Sequence, residues 1–221
     1  MPVKAVMAWS GGKDSACALW RLQQDARYEV VGLLTTLTEG YDRVSMAGIR
    51  RELLLAQAAA LGLPVREVWI PQVATNEVYE ERMGAAVEQM LAEGVRAVAF
   101  GDLFLEDVRA YRERTLADTG LEPVFPIWGA PTLALAHRVM ADGFRAVLVC
   151  VDPRQVPAEL ASRDFDASLL ADLPPEADPC AERGEFHTFV YDAPNFSAPI
   201  PFTRGEVVER EGFVFADLLP G

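Results

Sequence analysis

Residues 10–15 read Ser10-Gly11-Gly12-Lys13-Asp14-Ser15, which gathers two glycines, two hydroxyls, a cation and a carboxylate into six positions. Such a set suits an anion. Glycines let the main chain approach without an intervening Cβ, and Ser10, Ser15 and Lys13 add hydroxyl donors and a positive charge. The apolar run Ala5-Val6-Met7-Ala8-Trp9 lies before the motif and Ala16-Cys17-Ala18-Leu19-Trp20 after it, so the segment reads as strand, tight turn and helix start. The helix contributes its own unpaired N–H groups and the positive end of its dipole. The chemistry expected here is the holding of a phosphate.

The G-x-x-x-x-G-K-[ST] pattern of P-loop kinases and GTPases occurs nowhere in the chain. Ser-Gly-Gly-Lys-Asp-Ser after a first strand instead resembles the PP-loop of the ATP pyrophosphatases, the adenine nucleotide alpha hydrolase superfamily. That resemblance implies ATP with Mg2+ as cofactors and cleavage between the α and β phosphates. It makes Ser10, Gly11, Gly12, Lys13, Asp14 and Ser15 nucleotide-binding residues, with Lys13 also cradling the departing pyrophosphate.

The elements that must position this loop alternate. Strands are expected at residues 29–37, 65–70, 97–100 and 145–151, and helices at 45–61, 76–93, 105–117 and 132–142, with Asn76 a helix cap. Near-continuous apolar strands separated by helices argue for a parallel sheet covered on both faces. The expected fold is α/β, a Rossmann-like doubly wound parallel sheet of the HUP/PP-loop type. In such sheets ligands gather at the carboxyl ends of the strands, where strand order reverses. Gly101 and Asp102 end the fourth strand there. The resemblance makes Leu34, Thr35 and Thr36, at the end of the second strand, adenine-side candidates; the two threonines fit a plain strand equally well. Asp14 and Asp102 are candidate magnesium ligands, since oxygen donors suit that ion, and Asp14 is equally placed to cap the first helix.

After Asp152-Pro153 the helical periodicity gives way to a proline- and aspartate-rich stretch and then to two-residue alternation. Residues 1–153 are therefore expected to form the ATP-binding domain and residues 154–221 a small C-terminal α+β appendage that binds substrate. Residues 185–191 read as a strand with Glu185 and His187 on one face, and residues 201–218 as a hairpin turning near Arg210-Glu211-Gly212.

The segment Cys180-Ala181-Glu182-Arg183-Gly184-Glu185-Phe186-His187-Thr188, followed by Val190-Tyr191-Asp192-Ala193-Pro194, resembles the second signature of the diphthine–ammonia ligase family. The likeness extends to Tyr41-Asp42-Arg43-Val44-Ser45-Met46 and to Gly101-Asp102 with Arg109, Tyr111 and Arg112. It implies amide formation: a small-molecule or protein carboxylate is adenylated, pyrophosphate leaves, and ammonia or an amine attacks. Glu185 is then the amine-orienting carboxylate, with His187 or Glu182 beside it. Arg109 and Arg112 could meet phosphate or a substrate carboxylate, or simply lie on a solvated helix face. The chain departs from the family pattern at Arg183, where an asparagine is typical, and at Ala47, where a histidine is common.

A net charge of −13 repels nucleic acid over long range, which disfavours an RNA surface and with it a tRNA-modifying PP-loop enzyme. A non-catalytic adenine-nucleotide sensor is the other alternative. Cys17, Cys150 and Cys180 form no C-x-x-C pair, and with His137 and His187 they show no metal-site spacing. No run of about 18 apolar residues occurs, so no membrane partner is expected, and a reducing cytoplasm is the expected compartment. The chain is compatible with a homodimer.

Overall fold

The computed structural model describes residues 1–221. Five parallel strands carry the phosphate loop: β1 (Val3–Ala8), β2 (Tyr28–Thr38), β4 (Val65–Ile70), β5 (Ala97–Ala99) and β6 (Glu122–Val124). They lie in the order β4-β2-β1-β5-β6, and the two-residue β3 (Arg43–Val44) pairs antiparallel with the end of β2. The helices α1 (Lys13–Gln23), α2 (Arg51–Leu61), α3 (Asn76–Ala92) and α4 (Glu106–Leu116) fill the crossovers. Alternation along β1 divides the core: Ala5 and Met7 pack with α1 and α2, whereas Val6 joins Val98, Ala86, Met90 and Leu116 on the α3 and α4 face. The chain moves outward from β1 to β2 and β4, then returns to β5, so strand order reverses between β1 and β5, beside residues 10–15 and 101–102.

A second, antiparallel sheet has the order β8-β7-β10-β9, from β7 (Arg145–Val151), β8 (Phe186–Asp192), β9 (Phe202–Arg210) and β10 (Phe213–Pro220). Two more helices, α5 (Thr132–Ala141) and α6 (Ala167–Asp172), precede and follow β7. The expected doubly wound α/β sheet is present, and the hairpin turns at Glu211-Gly212, both at positive φ as a two-residue hairpin turn requires. One buried cluster of 42 residues runs from α1 and α2 into the second sheet, so residues 1–153 and 154–221 share a core. No helix is long and apolar enough to cross a membrane.

Three local expectations are corrected, and one strand is added. β7, read as a further parallel strand, belongs to the antiparallel sheet; both its faces are buried from Ala146 to Val151, so its uniform apolar run carries no sign of direction. The helix expected from residue 45 begins at Arg51, because Met46 (φ 67°) and Gly48 (φ 71°) are left-handed, and Met46 is 73% exposed. Thr75, not Asn76, caps α3, its hydroxyl accepting the Val78 amide. β6 was not anticipated, since Pro123 disguises an edge strand.

The 43–50 turn is fastened to β10 by one carboxylate. Asp217 accepts Arg50 Nη2 at 2.7 Å and Nε at 3.0 Å, and Arg43 Nη1 at 2.9 Å. The hydrogen bonds from Arg50, followed by those from Arg43, pull the Asp217 carboxyl down to about 2. Its stabilising contribution is therefore present above the unfolded carboxylate value and is lost as pH falls from about 4 to about 2. Asp217→Asn should cost about 1–2 kcal/mol at neutral pH, discounted for partial exposure, with the gap to wild type closing on acidification. Urea unfolding at pH 7 and pH 3 checks this; an equal gap at both would contradict it.

Candidate functional site

Residues 10–15 bridge β1 and α1. Gly11 sits at φ +78°, where a Cβ would lie 2.9 Å from Gln57 Oε1, and a Cβ on Gly12 would lie 3.1 Å from the Thr188 carbonyl oxygen. Gln57 is fully buried in α2 and spends every hydrogen-bonding group here. Its amide nitrogen donates to the carbonyls of Gly11 (2.9 Å) and Val190 (2.6 Å), and its oxygen accepts the Trp9 indole N–H (3.0 Å). β8 closes the back of the loop: Val190 N donates to the Gly11 carbonyl at 2.9 Å, and Thr188 Oγ1 accepts the Lys13 amide at 3.0 Å. The next two first-turn amides, Asp14 and Ser15, find no acceptor in any other residue. Gly101 crosses that turn so closely that a Cβ would lie 2.9 Å from Ser15 N.

In front of the loop lies a cavity of about 710 Å³. Ser10, Gly12, Lys13, Asp14, Ser15, Leu34, Thr35, Thr36, Gly101, Asp102, Glu182 and His187 all line it; Gly11 and Glu185 do not. Ser10 and Ser15 place their hydroxyls 3.0 Å apart. Two buried oxygens at the site lack partners, Asp14 Oδ1 and Thr35 Oγ1, and such groups cost free energy unless a ligand or water meets them.

Two side chains stand differently from expectation. The Lys13 ammonium, 2% exposed, does not reach freely into the cavity; it donates to Asp14 Oδ2 at 2.8 Å and to the Cys180 carbonyl, beneath the rings of Phe165 and Phe186. Burial, the largest single influence, disfavours its charge, but the nearby acidic groups, Asp14 foremost and then Cys180 and Asp178, together hold its pKa above the ordinary lysine value. Glu185, 1% exposed, precedes β8 and does not share a face with His187; its carboxylate accepts the amides of Asp178 (2.8 Å) and Arg183 (3.0 Å). Asp178 in turn accepts the amides of Cys180 and Glu182. These two carboxylates build a loop over residues 178–185, with Ala181 and Gly184 at positive φ, and the loop presents Glu182.

Glu182 Oε1 accepts the Leu103 amide at 2.7 Å, tying this loop to the chain after β5. Burial pushes the carboxyls of Glu182 and Asp102 up, and for Glu182 the charges of Asp14 and Asp102 add to the rise. Burial, then the Lys13 charge, brings His187 down to about 4, so its imidazole is neutral at pH 7. All three thiols are buried, with Cys17 pushed up to about 11 and Cys150 and Cys180 to about 12. Gln57 and Thr188 escaped the sequence reading; a lone amide at the buried positions of α2, beside Leu53, Leu54 and Ala58, was the available signal for the first.

The residues present fit a nucleotide triphosphate. Free first-turn amides, two positions with no room for a Cβ and an orphaned carboxylate oxygen meet at one end of the cavity. No three His, Cys, Asp or Glu side chains converge to cage a metal. A magnesium ion needs only one or two carboxylates when phosphates and waters complete its shell, and Asp14, Asp102 and Glu182 all line the cavity.

Residues 3–123, just over half of the chain, match the family model described as "Diphthamide synthase N-terminal domain". The loop of residues 178–188 lies outside that span. A search of curated proteins found no match. Among solved structures, a predicted subunit of tRNA methyltransferase from Methanocaldococcus jannaschii is 17% identical, with a TM-score of 0.45, over 66% of this chain and 80% of its own. The U34-tRNA thiolase NcsA from Methanococcus maripaludis is 18% identical, with a TM-score of 0.39, over 62% of this chain and 56% of its own.

Two outcomes follow from this geometry. Gln57→Leu preserves volume but strands the Trp9 N–H and the Val190 carbonyl, so it should cost about 2–4 kcal/mol in denaturant unfolding; a loss near zero would mean the clamp carries no weight. Because the His187 pKa is lowered, its contribution is present above about 6.5 and is lost as pH falls toward about 4. His187→Gln should therefore show a flatter stability profile across that window, and a parallel profile would contradict the assignment.

Proposed function

The chain belongs to the diphthamide synthase N-terminal domain family, a PP-loop family, and from that premise we propose that it is an ATP-dependent amide ligase of the diphthine–ammonia ligase type. The observation that carries the reading is the cradle of residues 10–15, with its free Asp14 and Ser15 amides opening on the cavity. ATP supplies the activation: a carboxylate oxygen bonds to the α-phosphorus as pyrophosphate leaves, and an amine then displaces AMP.

The chain's own residues divide this work. The amides of Asp14 and Ser15, with the Ser10 and Ser15 hydroxyls, bind phosphate oxygens. Leu34, Thr35 and Thr36 bound the adenine side, and Thr35 Oγ1 offers an unused hydroxyl there. Lys13 neutralises Asp14 from below, which leaves Asp14 Oδ1 and Asp102 to hold Mg2+. Glu182, with its raised pKa, accepts the proton that the attacking amine sheds, and neutral His187 stands on the same wall. Glu185 acts by shaping the loop that presents Glu182. Sulfur transfer to a tRNA base fits less well, since the buried thiols are held protonated.

Incubating the protein with Mg-ATP, ammonium and a mixture of carboxylic acids should yield AMP and pyrophosphate by anion-exchange chromatography. ADP and phosphate as main products would contradict the reading, and tight ATP binding without any cleavage would favour the nucleotide sensor. Gly12→Ala, whose φ of −92° suits alanine but whose methyl would press on the Thr188 carbonyl, should weaken ATP binding about tenfold by pushing the cradle off β8. Unchanged affinity would remove the loop from the site.

A further inference from the structure

The cavity does not stop at the phosphate loop and the end of β2. It extends into an arm between α3 and α4, with Met83, Val87 and Phe100 making an apolar wall and Tyr79, Tyr111 and Arg112 along the polar side; Glu80 also borders it. Met83 and Val87 on α3 are half-buried and Phe100 is buried, and all three line the cavity, so this wall is an apolar surface left open to it.

The two arginines of α4 differ in what holds them. Arg109 is committed: its Nε donates to Glu113 at 2.8 Å, and its guanidinium lies 4.9 Å from the Phe125 ring centre and 4.8 Å from that of Trp128. Arg112 stacks 4.9 Å from the Phe100 centre and reaches only Asp102, at a long 3.5 Å. The ring braces the guanidinium while most of its N–H donors stay unspent, and that arrangement suits a carboxylate. Asp102 follows Gly101, which touches the first turn of α1. Arg112 therefore stands where the arm meets the phosphate end of the cavity.

We propose that the arm is the acceptor subsite and takes a carboxylic acid with an apolar body, the body lying against Met83, Val87 and Phe100 and the carboxylate pairing with Arg112. This rests on the ligase reading above. Arg112 is then a binding and specificity residue: it holds the carboxylate at the edge of the nucleotide site and rejects a neutral analogue, whose amide nitrogen would meet N–H donors.

Phenylacetate and its neutral amide, phenylacetamide, serve as probes on the full chain, followed by saturation-transfer NMR, with ATP affinity measured separately by calorimetry. Wild type should bind phenylacetate at least about fivefold better than phenylacetamide, and Arg112→Ala should erase that preference. Val87→Trp, which fills the arm from the exposed helix, should abolish phenylacetate binding and keep ATP affinity within about twofold, with circular dichroism confirming its fold. Equal binding of acid and amide, no binding of either, or phenylacetate binding unchanged in both variants would overturn the proposal. Loss of ATP binding in Val87→Trp would also overturn it, by making the arm part of the nucleotide pocket. Failure of wild type to bind ATP would defeat the ligase reading instead, and the phenylacetate comparison would still decide the arm.

Discussion

The Gly11 carbonyl accepts two N–H groups at 2.9 Å, from Val190 in β8 and from Gln57 in α2. That junction welds the phosphate loop to a strand nearly 180 residues away. It requires glycine's left-handed φ, it points the carbonyl away from the cavity, and it brings Thr188 onto the Lys13 amide. With β8 fixed there, residues 178–185 must pass over the end of β5, which is where Glu182 meets the Leu103 amide. The parallel sheet supplies the cradle, and the antiparallel sheet supplies its back wall and one side of the cavity.

The site is poor in free positive charge for one that would hold a triphosphate. Lys13 is paired, Arg112 is loosely paired, and Asp14, Asp102 and Glu182 all face the cavity in a protein of net charge −13. Helix-terminal amides carry no desolvated counter-charge and so bind anions without this conflict. The crowded carboxylates have a corresponding use under the proposed function: raised pKa values suit a proton acceptor, and a divalent cation would relieve their mutual repulsion.

The parts of this arrangement legible in the sequence are those with local causes. Ser10 to Ser15 declare a strand, turn and helix within six residues, and Arg210-Glu211-Gly212 declares a hairpin. The misread parts have causes far along the chain. β7 is as apolar as a parallel strand because both its faces are buried, and pairing direction leaves no trace in composition. Glu185 alternates correctly with His187 on paper, but the carboxylate satisfies the amides of a loop whose existence depends on the β8 junction. Lys13 reads as a phosphate ligand because its partners, Asp14 aside, come from the region of residues 165–186. Gln57 is invisible as a clamp until Trp9, Gly11 and Val190 are brought around it.

Under the proposed function a triphosphate rests on the first turn of α1, braced from behind by β8. A crystal structure with magnesium and α,β-methylene-ATP tests it most directly. The expected result is phosphate oxygens within hydrogen-bond distance of the Asp14 and Ser15 amides, the metal on Asp14 or Asp102, and the Gly11 carbonyl still held by Gln57 and Val190. A triphosphate seated in the arm between α3 and α4, or a Gly11 peptide flipped to meet the nucleotide, would contradict it.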